Sequence, residues 1–362
     1  MNLDRMLSNA ADLQGIPAPT FHEKPRALHM QMLFRQAGLA DVALDQSGNV
    51  IATLPHENAT PLLVSAHLDT VFPLETPLTL SRDERRLSGP GIGDNVIALA
   101  ALIELAHDLQ ISPPPFKVVF IANVAEEGLG NLAGMRAIVE RYQDDVRAYL
   151  VLEGFSQNTL VNRALCIRRY HVHIQTRGGH PWAHPDRPSA VHLLTALAQR
   201  VLRLRLDRRR FSTINIGRIE GGTSINTLAA EASMEIDVRA LRTQALERFD
   251  ERLRHLCQQS QVTGSTVQLE LIGSRPAGSI PDHHRLVRAA LDSLQKHGVS
   301  PVRLAIGSTD ANIPLSRGYP AICMGLTLGG GAHSLEEYIE IDPLQVGYQA
   351  LLSLIHHPYL AE

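Results

Sequence analysis

The chain has 362 residues, 44% apolar and 20% charged, which is ordinary for a globular protein and excludes a disordered or collagen-like chain. Its length suits about two domains, and a net charge of −3 gives no ground for a nucleic-acid partner. Cys166, Cys257 and Cys323 lie far apart with no C-x-x-C pair, so neither a disulfide framework nor a cysteine-based zinc ribbon is expected.

In chain order, the opening MNLDRMLSNAADLQG has no basic segment followed by an apolar run, and no stretch of about 18 apolar residues follows anywhere. A cytoplasmic location without membrane contact is expected. Residues 4–39 read as two helices separated by Pro17, Pro19 and Thr20, the second ending near Gly38. Segments 48–54 and 61–67 read as strands, and 95–109 as a long Ala/Leu-rich helix stopped by Pro113, Pro114 and Pro115. The continuous apolar run 117–124 has strand length and suits a strand covered on both faces. A helix at 135–142 and a short strand at 148–152 continue the alternation. This order predicts an α/β domain with a doubly wound, mostly parallel sheet.

The pattern changes near residue 164. Residues 166–175 (CIRRYHVHIQ) alternate with period two, as in an antiparallel strand with one wet face. A helix at 189–204, strands near 212–218 and 231–238, a helix at 243–259 and a strand at 266–271 complete a β-α-β-β-α-β order, the ferredoxin-like α+β unit. After Pro281 come a helix at 283–297, strands at 302–306 and 319–325, and a helix near 343–356. The expected organisation is a catalytic domain of residues 1–163 and 279–362, interrupted by an insert of residues 164–278.

Acids and imidazoles fall just past the predicted strand ends, where ligands bind in open α/β sheets. His67 and Asp69 follow one strand, Glu126 and Glu127 a second, Glu153 a third. Asp94 sits in GPGIGDN before the long helix, and His333 in GGGAH after the last strand. Each feature alone has a plain reading: H-x-D as a hydrogen-bonded turn, E-E-G as a solvated loop, Asp94 as a helix cap. Together, two imidazoles and several carboxylates without a thiolate suit Zn²⁺, with Co²⁺ or Mn²⁺ as substitutes. In that setting Asp69 is placed to accept the second N–H of His67 and fix its tautomer. Of two adjacent glutamates, one can ligate a metal while the other faces the attacking water as general base.

The segments SAHLDTVFP (65–73), GPGIGDN (89–95), AEEGLGNLAG (125–134), LEG (152–154), RGGHPWAHPDRPSA (177–190), GGTSINTLAAEASMEIDVRA (221–240), GSTDANIPLSRGYPA (307–321) and GGGAHSLEEYI (329–339) carry a resemblance. The chain resembles the co-catalytic zinc aminoacylase/carboxypeptidase family, which includes peptidase T, carboxypeptidase G, acetylornithine deacetylase and succinyl-diaminopimelate desuccinylase, and is most similar to peptidase T-like members. The resemblance implies two Zn²⁺ ions bridged by Asp94, the first also held by His67 and Glu153, the second by Glu127 and His333. It implies Glu126 as general base and acid, Asp69 behind His67, and a cis peptide bond between Asp94 and Asn95. It makes the insert a lid and dimerisation domain, so a homodimer is expected. It gives His180 the polarisation of the scissile carbonyl, and Asn226 and Arg239 the substrate, a guanidinium fork being suited to a carboxylate. Many relatives carry an acid after the bridging aspartate where this chain has Asn95, and Asp where it has Glu153.

Other residues have local readings. Pro181 and Pro185 forbid a helical two-histidine zinc face at His180 and His184. His171 and His173 share one strand face, read as a lid-sheet or interface surface. Arg200, Arg203, Arg205, Arg208, Arg209 and Arg210 read as a solvated helix end. Arg275 either reaches the substrate carboxylate or pairs locally, and the cysteines are expected to be buried and inert. The functional expectation is hydrolysis of an amide bond in a small peptide or amino-acid conjugate with a free carboxylate. The alternatives are an N-acyl-amino-acid deacylase and a non-catalytic metal- or ligand-binding homologue.

Overall fold

Strand Leu62–His67 is buried along its whole length, and its two neighbours, Val118–Asn123 and Ala148–Glu153, run parallel to it. These strands belong to a computed structural model that describes residues 1–57, 60–206 and 212–361. Within it the chain divides into two compact units, Met1–Ala164 with Gly278–Glu362, and Leu165–Ala277.

The first unit is a mixed α/β structure around a large sheet. Its centre is parallel, in the order Val118–Asn123, Leu62–His67, Ala148–Glu153 and Ala321–Gly325. These strands are apolar without alternation because both faces are covered. The flanks are antiparallel: Val50–Leu54 and then Ala40–Leu44 extend one side, while Thr159–Ala164 joins Ala321–Gly325 on the other. The helix Ile97–Ile111 is buried nearly all round, including Ile97, Ala98, Leu99, Leu102 and Leu105, which is how a helix packed between a sheet and further helices reads. Leu3–Gln14 packs against it. A separate small antiparallel sheet joins Arg86–Ser88 to Tyr338–Glu340. Neither it nor the strands Ala40–Leu44 and Thr159–Ala164 is among the predicted elements.

The second unit has the predicted β-α-β-β-α-β order. Its sheet runs Ser212–Gly221, Glu231–Ala240, Cys166–Thr176, Ser265–Arg275, all antiparallel. In sequence order this is the interleaved arrangement that a split β-α-β pair requires. Alternation sorts the two faces: Tyr170, Val172 and Ile174 are buried with Met234, Ile236 and Val238 beneath the helices Ala190–Leu202 and Thr243–Ser260. Tyr170 and Phe249 meet with ring centroids 5.7 Å apart. The opposite face carries Arg169, His171 and His173.

All three cysteines are buried and unbridged. Of the basic run, Arg208–Arg210 lie outside the described residues, and Arg200 hydrogen-bonds Gln259. No helix of the described residues is long and apolar enough to cross a membrane.

Candidate metal centre

His67 and Glu153 end adjacent parallel strands, and Glu126 and Glu127 follow the next strand over. Three parallel strands therefore deliver their carboxyl-end side chains to one edge of the sheet. Asp94 reaches the same place on the GPGIGDN loop. Glycine is required there: a Cβ on Gly93 would sit 2.1 Å from the ring of Phe155. His333 arrives on the GGGAH loop with φ of 63°, a conformation that side chains other than glycine seldom adopt.

Asp94 lies between two imidazoles. Its Oδ1 is 3.1 Å from His67 Nε2 and its Oδ2 is 3.0 Å from His333 Nε2. Glu153 Oε2 lies 3.7 Å from His67 Nε2, and Glu127 Oε1 lies 3.3 Å from His333 Nε2. One ligand atom from each of His67, Asp94 and Glu127 falls within 4.8 Å of the others. That set spans both sides of Asp94, whose carboxylate faces His67 with Glu153 on one side and His333 with Glu127 on the other. Ligands held about 2.0–2.1 Å from a tetrahedral ion lie roughly 3.3 Å apart, so these separations fit a pair of metal ions.

The charge balance also fits. Three carboxylates, Asp94, Glu127 and Glu153, meet two imidazoles. Even with both rings protonated one negative charge is left over, and with neutral rings, the form that ligates, three are. Carboxylates taken out of water need cations beside them. Burial opposes charge on His67, but Asp69, Asp94 and Glu153 outweigh it and hold its pKa well above the usual value. His333 is raised to about 10 by Asp94 and Glu127. Burial works against the Asp94 carboxylate, yet the two imidazoles hold its pKa far below the usual range. Burial raises Glu153, with His67 acting against the rise. Without metal, protons on the imidazoles take the place of cations.

Asp69 does a second job beside the one expected of it. His67 Nδ1 lies 3.0 Å from the backbone carbonyl of Asp69 and 3.5 Å from its carboxylate. The carboxylate is also engaged elsewhere: Oδ1 accepts from the N–H of Glu126 at 3.0 Å, and Oδ2 from the N–H of Glu127 at 2.8 Å and from Thr20 at 2.9 Å. Asp69 thus faces His67 with both its backbone carbonyl and its carboxylate, and the same carboxylate anchors the two-glutamate loop.

Asn95 also has a structural task. Its Nδ2 donates to the carbonyl of Leu152 at 2.8 Å, tying the Asp94 loop to the strand that ends in Glu153. The Asp94–Asn95 peptide bond is cis.

In the second unit, His180 and Asn226 line one pocket of about 810 Å³ together with His173, Arg177, Glu220 and Glu231. The His180 loop is shaped by the His180 N–H donating to His184 Nδ1 at 3.2 Å. Arg239 and Arg275 do not line this pocket. They flank Ile167 on neighbouring strands, in one row of the sheet. Arg239 donates to Asp237 at 2.7 Å, and Arg275 is buried. His171 and His173 stack with ring centroids 6.2 Å apart on the polar face.

Several site residues were not singled out in the sequence. Glu23 accepts from the N–H of Ala125 at 3.1 Å, just before the glutamate pair. Arg26, almost wholly buried, donates to the carbonyl of Leu68 at 2.7 Å. Asp310, in GSTDANIP, is buried and takes a hydrogen bond from Asn123 at 2.6 Å, and burial pushes its pKa up to about 7. Glu337 is buried beside the Asp94 loop. Glu23 and Arg26 flank a Pro that starts a helix, and this masks them as ordinary surface residues. Asp310 and Glu337 lie inside the quoted motifs but are not at strand ends.

An α/β sheet with imidazoles and carboxylates gathered at its strand ends, joined to a ferredoxin-like unit, is the build of a metal-dependent hydrolase. The chain belongs to peptidase family M20/M25/M40, whose model matches residues 63–357. It is 24% identical to acetylornithine deacetylase of Klebsiella pneumoniae, over 85% of this chain and 83% of that protein. A tripeptidase from Staphylococcus aureus has the same fold, with a TM-score of 0.81 at 21% identity over the whole of both chains. So does a dinuclear metal-binding peptidase of Bacillus subtilis, with a TM-score of 0.70 at 17% identity over 98% of this chain and 97% of that one.

Proposed function

We propose that the protein is a dinuclear metal exopeptidase of the di-/tripeptidase or carboxypeptidase type. It cleaves an amide bond in a small peptide or amino-acid conjugate that carries a free carboxylate. The observation that carries this reading is the division of Asp94 between two imidazole–carboxylate triads. His67, Asp94 and Glu153 would hold one ion, and Asp94, Glu127 and His333 the other. Zinc suits these donors best, and cobalt or manganese suits them too. When bound, such ions supply Lewis acidity to the amide carbonyl and make a water acidic enough to lose a proton near neutral pH.

The remaining work belongs to the chain. Glu126 is fixed by the hydrogen bond from its N–H to Asp69. Its carboxylate takes a proton from the attacking water and returns it to the leaving nitrogen as the carbon–nitrogen bond breaks. In this reading His180 donates a hydrogen bond to the scissile carbonyl, Asn226 orients the substrate and Arg239 binds its carboxylate, while Arg275, buried in the same row of the sheet, either reaches that carboxylate or pairs locally. The insert, Leu165–Ala277, serves as lid and dimerisation domain, and the enzyme works in the cytoplasm as a homodimer.

The likeness to acetylornithine deacetylase favours a second reading, an N-acyl-amino-acid deacylase using the same residues. A non-catalytic homologue would have had no need to keep Glu126 along with all five metal ligands. A turnover panel on metal-loaded protein separates the three: dipeptides, tripeptides, C-terminal-glutamate conjugates and N-acyl amino acids, with Glu126→Gln as control. Cleavage of peptides with a dead control supports the peptidase. Cleavage of acyl amides alone replaces it with the deacylase, and no turnover at full metal occupancy replaces both with the binding protein.

A further inference from the structure

His333 and Asp94 lie 239 residues apart, and a single side chain fastens their loops together. Glu337, four residues after His333, is fully buried. Its Oε1 accepts two backbone hydrogen bonds, from the N–H of Gly93 at 2.7 Å and from that of Asp94 at 2.9 Å. Its backbone carbonyl accepts a third, from the N–H of Gly89 at 2.8 Å. The chain then continues as Tyr338–Glu340, paired antiparallel with Arg86–Ser88. One residue therefore grips the GPGIGDN loop at both ends while its own backbone fixes the segment that carries His333.

A carboxylate is a costly way to fill buried space, because charge and lone pairs must be compensated there. Here it satisfies two N–H groups that the cramped loop keeps from water, and no apolar side chain could do that. We infer that Glu337 is a positioning residue for the second metal site: it sets the spacing between Asp94 Oδ2 and His333 Nε2 through its hold on both loops. The inference rests on the dinuclear reading above. His67 and Glu153 are secured in another way, as the last residues of neighbouring parallel strands. Loss of Glu337 therefore weakens the second site, which loses its hold on both Asp94 and His333, more than the first, which loses its hold on Asp94 alone.

The test is titration of metal-free protein with Co²⁺, followed by heat and by visible absorption. Wild type and Glu337→Gln, which keeps an oxygen acceptor for both N–H groups, each bind two ions. Glu337→Ala binds the second ion about 10–100-fold more weakly, the usual effect of removing a residue that orients a ligand, and the first with a smaller loss. Circular-dichroism melts of the metal-free variants verify folding. If alanine prevents folding, Glu337→Asp, one methylene short of the N–H pair, takes its place with the same expectation. Two ions bound at wild-type affinities by the alanine or aspartate variant, or equal weakening of both, would overturn the inference. A wild type that takes up fewer than two ions overturns the dinuclear reading instead.

Discussion

Asp94 Oδ2 lies 3.0 Å from His333 Nε2 across 239 residues of chain, while the other oxygen of the same carboxylate faces His67. One side chain thus serves both halves of the cluster. Asp94→Ala is expected to remove both ions rather than one, and to lower kcat/KM by at least about a hundredfold, since even residues that only orient ligands cost 10–100-fold. Elemental analysis of the dialysed variant reads the metal loss directly; one retained equivalent would contradict the bridging role.

Glu126 is held by the N–H bond to Asp69 and belongs to neither triad. Glu126→Gln should keep wild-type metal content and lose about 10²–10⁴-fold in kcat, the range of a general acid–base contribution. Metal analysis and steady-state kinetics on the same sample check both halves of that expectation.

The pH dependence has a definite sign. His333 is raised to about 10 by Asp94 and Glu127, and His67 is raised well above its usual value against the effect of burial. Both folded values exceed an unfolded value of about 6.5. The stabilisation from the protonated rings is therefore complete below about pH 6.5 and is lost as pH rises through the folded values. The melting temperature of metal-free protein should fall between about pH 6.5 and 10 from this cause. Ligation needs neutral rings, so metal uptake at pH 7.5 should release protons and tighten as pH rises. Calorimetry in buffers of different ionisation enthalpy counts the protons, and zero release would contradict the account.

Arg26 supports the site from beneath. It donates to the carbonyl of Leu68, between His67 and Asp69, at 2.7 Å, and to that of Ile16 at 2.6 Å. Burial lowers its pKa to about 10, so it stays charged at neutral pH. Arg26→Met would remove the donor from the buried Leu68 carbonyl, at roughly 1–3 kcal/mol, and from the half-buried Ile16 carbonyl, at less. Urea unfolding of the metal-free variant should show a loss of that size.

What the sequence made legible followed from how strongly position dictates residue type. Apolar runs such as Val118–Asn123 mark strands covered on both faces, and an acid or imidazole straight after one has no packing reason to be there. His67, Glu126, Glu127, Glu153 and His333 were singled out on that basis, and Asp94 on its loop before the long helix; the structure brings His67, Asp94, Glu127, Glu153 and His333 together. Thr159–Ala164 and Ala40–Leu44 were missed because short, half-polar segments at a sheet flank look like loops. Glu337, Glu23 and Arg26 were missed for a different reason: their partners are backbone groups far away in sequence, which leave no local pattern. Asp69 was singled out for its neighbour His67 alone; the two backbone N–H groups and Thr20 that it also holds were missed because they lie far away in sequence.

In the proposed mechanism Asp94 is shared by two metal ions. Crystals grown with Zn²⁺ and measured on both sides of the zinc absorption edge test it most directly. Two anomalous peaks are expected, one on each side of the Asp94 carboxylate, the first beside His67 and Glu153 and the second beside Glu127 and His333. A single peak, or peaks away from Asp94, would contradict it.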